Sequence, residues 1–326
     1  MMKAVLCKEF GGPDTLVVED VASPTPGEGE VLLRVHACGV NFGDTLIIQG
    51  TYQVKPELPF SPGMECAGEI AAVGPGVDGH KVGDRVLAMT GHGGFAQEVV
   101  VAARLLLPIP DAMSFEHAAA FPVAYGTSHV GLDYRAQLKE GETLLVLGAA
   151  GGVGLTAVEI GKAMGATVIA AASSPEKLAV CKQYGADHLI DYSQEDIRER
   201  VKEITGGKGA DVIYDPVGGD AFDAAMRSIA WEGRLVVIGF ASGRIPEAKA
   251  NIVLVKNISV VGFFWGSYNQ KRPDIVMQSM QTLLQWYTAG KIKPHVSHTL
   301  PMEQAGDALQ MMIERKSTGK VVLTMD

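Results

Sequence analysis

The sequence is short of several things at once. Its four cysteines, Cys7, Cys38, Cys66 and Cys181, are too few and too scattered for a disulfide framework or a paired-cysteine zinc site, and they read as buried thiols. No stretch approaches about 18 uninterrupted apolar residues, so no membrane span is expected. The opening Met1-Met2-Lys3-Ala4-Val5-Leu6-Cys7-Lys8-Glu9 meets charge before a signal-like apolar stretch can develop. A cytoplasmic protein with no membrane partner is the expectation. Basic residues are outnumbered, 28 against 37 acidic, and form no long run, so the net charge of −9 argues against a nucleic-acid partner. The GxSxG elbow, the HExxH zinc motif and the GxxxxGK[ST] phosphate loop are all missing, which removes the usual signatures of hydrolases and nucleotide triphosphatases. Neither an internal repeat nor a low-complexity linker is visible.

What remains is a globular composition, 47% hydrophobic and 20% charged, in 326 residues, a length that suggests two domains. Over the first 120 residues, short strands bounded by Gly and Pro are predicted at 3–10, 16–21, 30–37, 66–73, 85–90 and 96–101, a barrel-like all-β unit. Residues 41–49 fit helical spacing better than alternation, which puts Asn41 and Asp44 near a helix start. From Phe121 onward the texture changes. Apolar strands at 143–147, 167–171, 188–191, 211–215, 234–239 and 259–262 alternate with helices at 155–164, 175–184, 196–205 and 221–230. That alternation predicts an α/β unit with a six-stranded, doubly wound parallel sheet. Amphipathic helices around 274–289 and 302–314 and a strand at 320–325 are expected to return to the first domain. The first domain would then be discontinuous, 1–122 with 263–326, around a second at 123–262.

The strand at 143–147 runs into Gly148-Ala149-Ala150-Gly151-Gly152-Val153-Gly154 and then a helix starting near Leu155. Gly148 permits a tight turn, Gly151 and Gly152 let backbone approach a pyrophosphate, and Gly154 permits close helix packing. In its alternating context this strand, glycine turn and helix read as a dinucleotide site. A carboxylate at the end of the next strand would favour NADH by binding the ribose diol and repelling a 2′-phosphate. Here Ser173 and Ser174 stand instead, followed by the Lys177 cation, with Tyr192 closing the following strand as a further donor. NADPH is the expected cofactor, although Glu176 beside Lys177 counts against it.

These features together resemble the medium-chain dehydrogenase/reductase superfamily, specifically its zinc-free NADPH:quinone oxidoreductase, zeta-crystallin-like branch. The resemblance covers essentially the whole chain. It rests on Gly39-Val40-Asn41-Phe42-Gly43-Asp44, Pro62-Gly63-Met64-Glu65-Cys66-Ala67-Gly68, Val82-Gly83-Asp84-Arg85-Val86 and Ala149-Ala150-Gly151-Gly152-Val153-Gly154. It implies a GroES-like catalytic domain beside a Rossmann domain. Zinc alcohol dehydrogenases of the superfamily carry a cysteine ligand where this chain has Asn41 and a histidine ligand where it has Met64, and both replacements remove good zinc ligands. The cysteine-rich structural zinc loop is also absent. The pair His295 and His298 has HxxH spacing but no nearby third and fourth ligands, so no metal is expected.

By the same resemblance, Asn41, Asp44 and Tyr52 line a catalytic cleft near the nicotinamide. Asn41 would donate to the substrate oxygen or to the carboxamide, Asp44 would orient its neighbours, and Tyr52 would donate a hydrogen bond or proton. Helix capping is the competing role for Asn41 and Asp44, and packing for Tyr52. The cofactor is expected against Asn41, Thr127, Gly151, Gly152, Val153, Ser173, Ser174, Lys177 and Tyr192. The turns carrying Val217 and Gly239-Phe240-Ala241 extend that surface. Phe263, Phe264 and Trp265 either wall the pocket or belong to the core or a dimer contact. The implied reaction is metal-free hydride transfer from NADPH to a quinone. Reduction of the C=C bond of an enal, enone or enoyl thioester uses the same hydride geometry, and a weakly catalytic NADPH-binding sensor or crystallin-like protein is a third reading. A homodimer pairing through the strand at 257–262 is also implied.

Overall fold

The computed structural model describes residues 1–325 and divides into two compact units, 1–123 with 293 onward, and 124–292. In the first, the strand Glu30–Val40 is the organiser. It pairs antiparallel with Glu65–Val73 along one edge, and the other edge is shared: Glu30 to Arg34 take Glu98–Ala102, while Ala37 to Val40 take Lys320–Thr324. Arg85–Met89 and Leu106–Pro108 extend the sheet one way and Val296–Pro301 the other. A separate ribbon joins Met2–Leu6 to Val17–Val21. Alternation explains the arrangement, since Val31, Leu33 and Val35 are all buried in the core with Val321 and Leu323. Each such side chain stabilises the fold by roughly 1.5–3 kcal/mol. The short helix Phe42–Ile48 leaves the end of the central strand, burying Ile47 and Ile48, and packs against the helix Ala305–Ile313.

The second unit is a six-stranded, all-parallel sheet in the order His188–Asp191, Thr167–Ala172, Thr143–Leu147, Ala210–Asp215, Ile229–Val237, Ser259–Gly262. Leu144, Leu145, Val146 and Leu147 are fully buried, as a central strand covered on both faces requires. The strand Thr143–Leu147, first in the chain, has Thr167–Ala172 on one side and Ala210–Asp215 on the other. The glycine turn that follows it therefore stands at the topological switch point of the sheet, where open α/β sheets bind ligands. The doubly wound α/β class expected from the alternation is the class found.

The differences are local. The helix Pro273–Thr288 belongs to the second unit, not the first, so the chain returns at Lys293 rather than at Phe263. Its apolar face, Val276, Met280 and Leu283, is buried there, with Met280 against Gly126 and the Ser279 hydroxyl bonded to His129 Nδ1 at 2.9 Å. The helix Gly219–Ser228 ends before Ile229, because Ile229 and Ala230 turn into a strand whose Ile229 lies opposite Ala210. The helix after the glycine turn begins at Gly152 rather than near Leu155. Among the described residues no helix is long and apolar enough to cross a membrane.

Candidate functional site

In the first unit, Asn41 stands between the end of strand Glu30–Val40 and the helix Phe42–Ile48, and two other sequence-predicted residues, Asp44 and Tyr52, lie close by. Asp44, in the first helical turn, accepts the Asn41 backbone N–H at 2.8 Å with one oxygen and the Gly63 N–H at 3.1 Å with the other. It is fully buried. Desolvation outweighs those two donors and the nearby Lys320 charge, and its carboxyl is raised to about 7. The Tyr52 ring lies 3.5 Å from where a Gly43 side chain would begin, and its phenol is raised to about 12, first by burial and then by Asp44.

Two residues that sequence reasoning passed over complete the cluster. Glu65 faces Gly39 across the strand pair, and Lys320 opens the strand whose Val321 faces Val40. Their side chains meet at 2.8 Å with almost no exposure, 0% for Glu65 and 3% for Lys320. The Lys320 ammonium also donates to Asn41 Oδ1 at 2.6 Å and to the Val40 carbonyl at 2.9 Å. Asn41 Nδ2 donates to the same Glu65 oxygen at 2.9 Å and to the Gly39 carbonyl at 3.3 Å. The second Glu65 oxygen accepts the Val123 N–H at 2.7 Å. Capping and site roles thus coexist at Asn41 and Asp44. A lysine and a glutamate 255 residues apart in the chain leave no local signal; only the strand register brings them together.

Among the described residues no group of three or more His, Cys, Asp or Glu side chains is placed to hold a metal ion. Met64 lies in the core, its methyl against Gly43. His295 bonds to Thr318 and His298 to Ser297.

In the second unit, Gly148 takes φ +57° and brings the turn against Val217, while a side chain on Gly154 would stand 2.2 Å from the Gly148 carbonyl oxygen. Both are required by packing. Gly151 differs: a side chain there would meet only the Gly148 oxygen, at 3.4 Å, and the residue is exposed. The fold leaves that side open to a ligand. Gly151 caps the helix Gly152–Ala163, leaving the N–H groups of Gly152, Val153 and Gly154 outside the helical ladder, where an anion is favoured. The Val153 carbonyl accepts from Ser128, whose hydroxyl also meets Thr156 at 2.8 Å and Tyr214 at 2.9 Å. Neighbouring Thr127 is buried, and Gly126 lets the Trp265 ring approach its helix.

The turns at Val217 and at Gly239-Phe240-Ala241 are one assembly. Ala241 N–H donates to the Pro216 carbonyl and Ser242 N–H to that of Val217, while Asp215 Oδ1 accepts the N–H groups of Val217 and Gly218. At the neighbouring strand end, Ser174 caps the helix Pro175–Gln183, Lys177 Nζ lies 3.5 Å from the Ser173 hydroxyl, and Tyr192 N–H bonds to the Ala172 carbonyl. Glu176 stays ionised, its own N–H and the Ser174 hydroxyl holding it below the ordinary carboxylate range. Phe263 and Trp265 are buried, Phe263 against Tyr268, and Phe264 is half-buried.

A parallel sheet with an open glycine turn at its switch point defines the dinucleotide-binding class of α/β fold. Residues 27–111 match the alcohol dehydrogenase GroES-like domain and residues 152–284 the zinc-binding dehydrogenase family. The chain is 44% identical over 324 residues to the quinone oxidoreductase-like protein 2 homolog of Nematostella vectensis, covering 98% of this chain and 88% of that protein. The structure of Escherichia coli quinone oxidoreductase complexed with NADPH has a TM-score of 0.92 at 31% identity, covering 99% of each chain. That of the CurK enoyl reductase has a TM-score of 0.90 at 30% identity, covering 100% of this chain and 99% of the other. The chain belongs to the zinc-free quinone oxidoreductase family of the medium-chain dehydrogenase/reductase superfamily.

Proposed function

We propose that the protein is an NADPH-dependent reductase that delivers hydride to a quinone without a metal. The observation that carries this is the donor set around Asn41. Where zinc relatives use thiolate and imidazole ligands, this chain has an amide and the Met64 thioether, and of the two adjoining carboxyl groups Glu65 is already paired with the Lys320 ammonium while Asp44 holds the Asn41 and Gly63 N–H groups. A simple alcohol or carbonyl would lack a Lewis acid here, whereas a conjugated acceptor needs only hydrogen-bond stabilisation of the oxyanion it forms. When bound, the dihydronicotinamide supplies the hydride. The open side of Gly151 and the first-turn N–H groups fit its pyrophosphate. Ser173, Ser174, Lys177 and Tyr192 would hold the 2′-phosphate, in keeping with the likeness to an NADPH complex. Asn41, Asp44 and Tyr52 would position the reacting ring and its acceptor. Likeness to an enoyl reductase supports a second reading, reduction of a conjugated C=C bond.

NADPH oxidation measured with 1,4-benzoquinone, an alkenal and crotonyl-CoA separates them: fastest turnover with benzoquinone is expected, and a preference for crotonyl-CoA would sink the quinone reading. In the same assay Lys177→Ala should weaken NADPH about tenfold and NADH little; equal losses would remove the phosphate contact. We also propose a homodimer through the sheet-edge strand Ser259–Gly262, beside which Leu254 and Val255 are 76% exposed. Sedimentation should then show twice the chain mass, and a monomer at micromolar concentration would refute it.

A further inference from the structure

The glycine turn has little of its own to hold it. Four of residues 148–154 are glycine, the residue that loses most conformational freedom when a chain is ordered. Among the described residues, side-chain hydrogen bonds reach its backbone from Thr156 and Ser128 alone. Thr156 belongs to the helix Gly152–Ala163 itself and moves with it. Ser128 comes from another helix, Pro122–His129, and donates to the Val153 carbonyl at 2.8 Å.

The hydrogens of this group can be counted. Ser128, Thr156 and Tyr214 bring one hydroxyl hydrogen each, and the Ser128 oxygen meets Thr156 at 2.8 Å and Tyr214 at 2.9 Å, contacts that each need one of them. Tyr214 is fully buried, and among the described residues Ser128 is the only partner of its hydroxyl. If Tyr214 accepted, its own hydrogen would be stranded in the core, so it donates to Ser128. With Thr156 donating as well, both lone pairs of Ser128 are filled and its hydrogen goes to the Val153 carbonyl, the shortest hydroxyl-to-carbonyl distance in the group. Because the peptide unit is planar, the Val153 carbonyl and the Gly154 N–H point in opposite directions, and fixing one fixes the other. We infer that Ser128, oriented by Tyr214, is a positioning residue that holds the Val153–Gly154 peptide so that its N–H is set to receive an anion. The inference rests on the proposed function, under which that anion is the pyrophosphate of NADPH.

Two ligands separate this role from a merely structural one: NADPH, which carries the pyrophosphate, and 2′-AMP, which keeps the adenosine and the 2′-phosphate but lacks it. Ser128→Ala strands the Tyr214 hydroxyl and can fail to fold for that reason. The deciding variant is therefore Ser128→Ala/Tyr214→Phe, which removes both partners and should unfold at nearly the wild-type denaturant concentration. Measured by isothermal titration for NADPH and by displacement for 2′-AMP, it should bind NADPH about fivefold more weakly, the ratio one ordinary hydrogen bond provides, and 2′-AMP as the wild type does. Unchanged NADPH affinity overturns the inference. So does an equal loss for both ligands, or a double variant that no longer folds, either of which would mark the hydroxyls as structural only. A wild type that binds neither ligand would instead overturn the NADPH reading itself.

Discussion

The two units organise their polar centres by opposite means. In the first, the Lys320 ammonium, the Glu65 carboxylate and the Asp44 carboxyl are buried around Asn41, and the first two hold its side chain between unlike charges. In the second, the glycine turn is held by backbone geometry, and the helix behind it by the neutral hydroxyls of Ser128, Thr156 and Tyr214. A surface that must accept a pyrophosphate needs room and N–H groups more than it needs side-chain charge. An amide bonded to an ammonium at one end and a carboxylate at the other is fixed in one orientation by those unlike charges. The first centre is therefore vulnerable to loss of a partner or a proton, and the second to loss of space.

The largest effect should come from unpairing the first centre. Lys320→Met takes from the buried Glu65 side chain its only cationic partner and should lower unfolding free energy in denaturant by about 3–5 kcal/mol, with most of that recovered in Lys320→Met/Glu65→Gln. Equal losses in the two variants would show that packing, not charge, dominates there. Gly154→Ala should cost about 1–3 kcal/mol, because the new methyl meets backbone, Gly148 O at 2.2 Å and Ala149 Cα at 2.9 Å, neither of which can rotate away. That loss should be the same at pH 5 and pH 8; a pH-dependent loss would blur the distinction between the units.

The smallest difference, that between two titrating carboxyl groups, tests the comparison where it is weakest. Asp44 is raised to about 7, and Asp215, in the second unit, to about 6. In both cases burial outweighs the backbone donors. Each holds a proton when folded that it releases when unfolded, so stability is fully present below about pH 4 and declines as pH rises through 6 to 7. The slope is at most about 1.4 kcal/mol per pH unit for each proton. Asp44→Asn should flatten the decline more than Asp215→Asn does, because the Asp44 carboxyl is moved farther. The reverse ranking, read from denaturation midpoints across this range, would place the main proton-sensitive site in the second unit.

Much of the fold was legible because it is periodic. Apolar runs alternating with helical segments marked the parallel strands, and Gly148 through Gly154 marked the turn at the switch point. Pro273–Thr288 shows the limit: amphipathic spacing says that one face is covered, but the choice of unit depends on Gly126 being small enough to receive Met280. In the site, Asn41 and Asp44 were visible through helix-start chemistry and family resemblance. Glu65 and Lys320 were not, because a buried ion pair closed across a sheet has no spacing to read. Asp215 carried no signal beyond closing a predicted strand, although its carboxyl holds the following turn together.

The scattered cysteines have a practical consequence. All four are buried, with their thiols raised above the ordinary range by desolvation, so the folded chain offers alkylating reagents almost no thiolate. Cys7, Cys38 and Cys66 belong to the first unit and Cys181 to the second. The chain thus carries a native set of labels by which opening of each unit can be timed separately, in one sample and without an introduced probe.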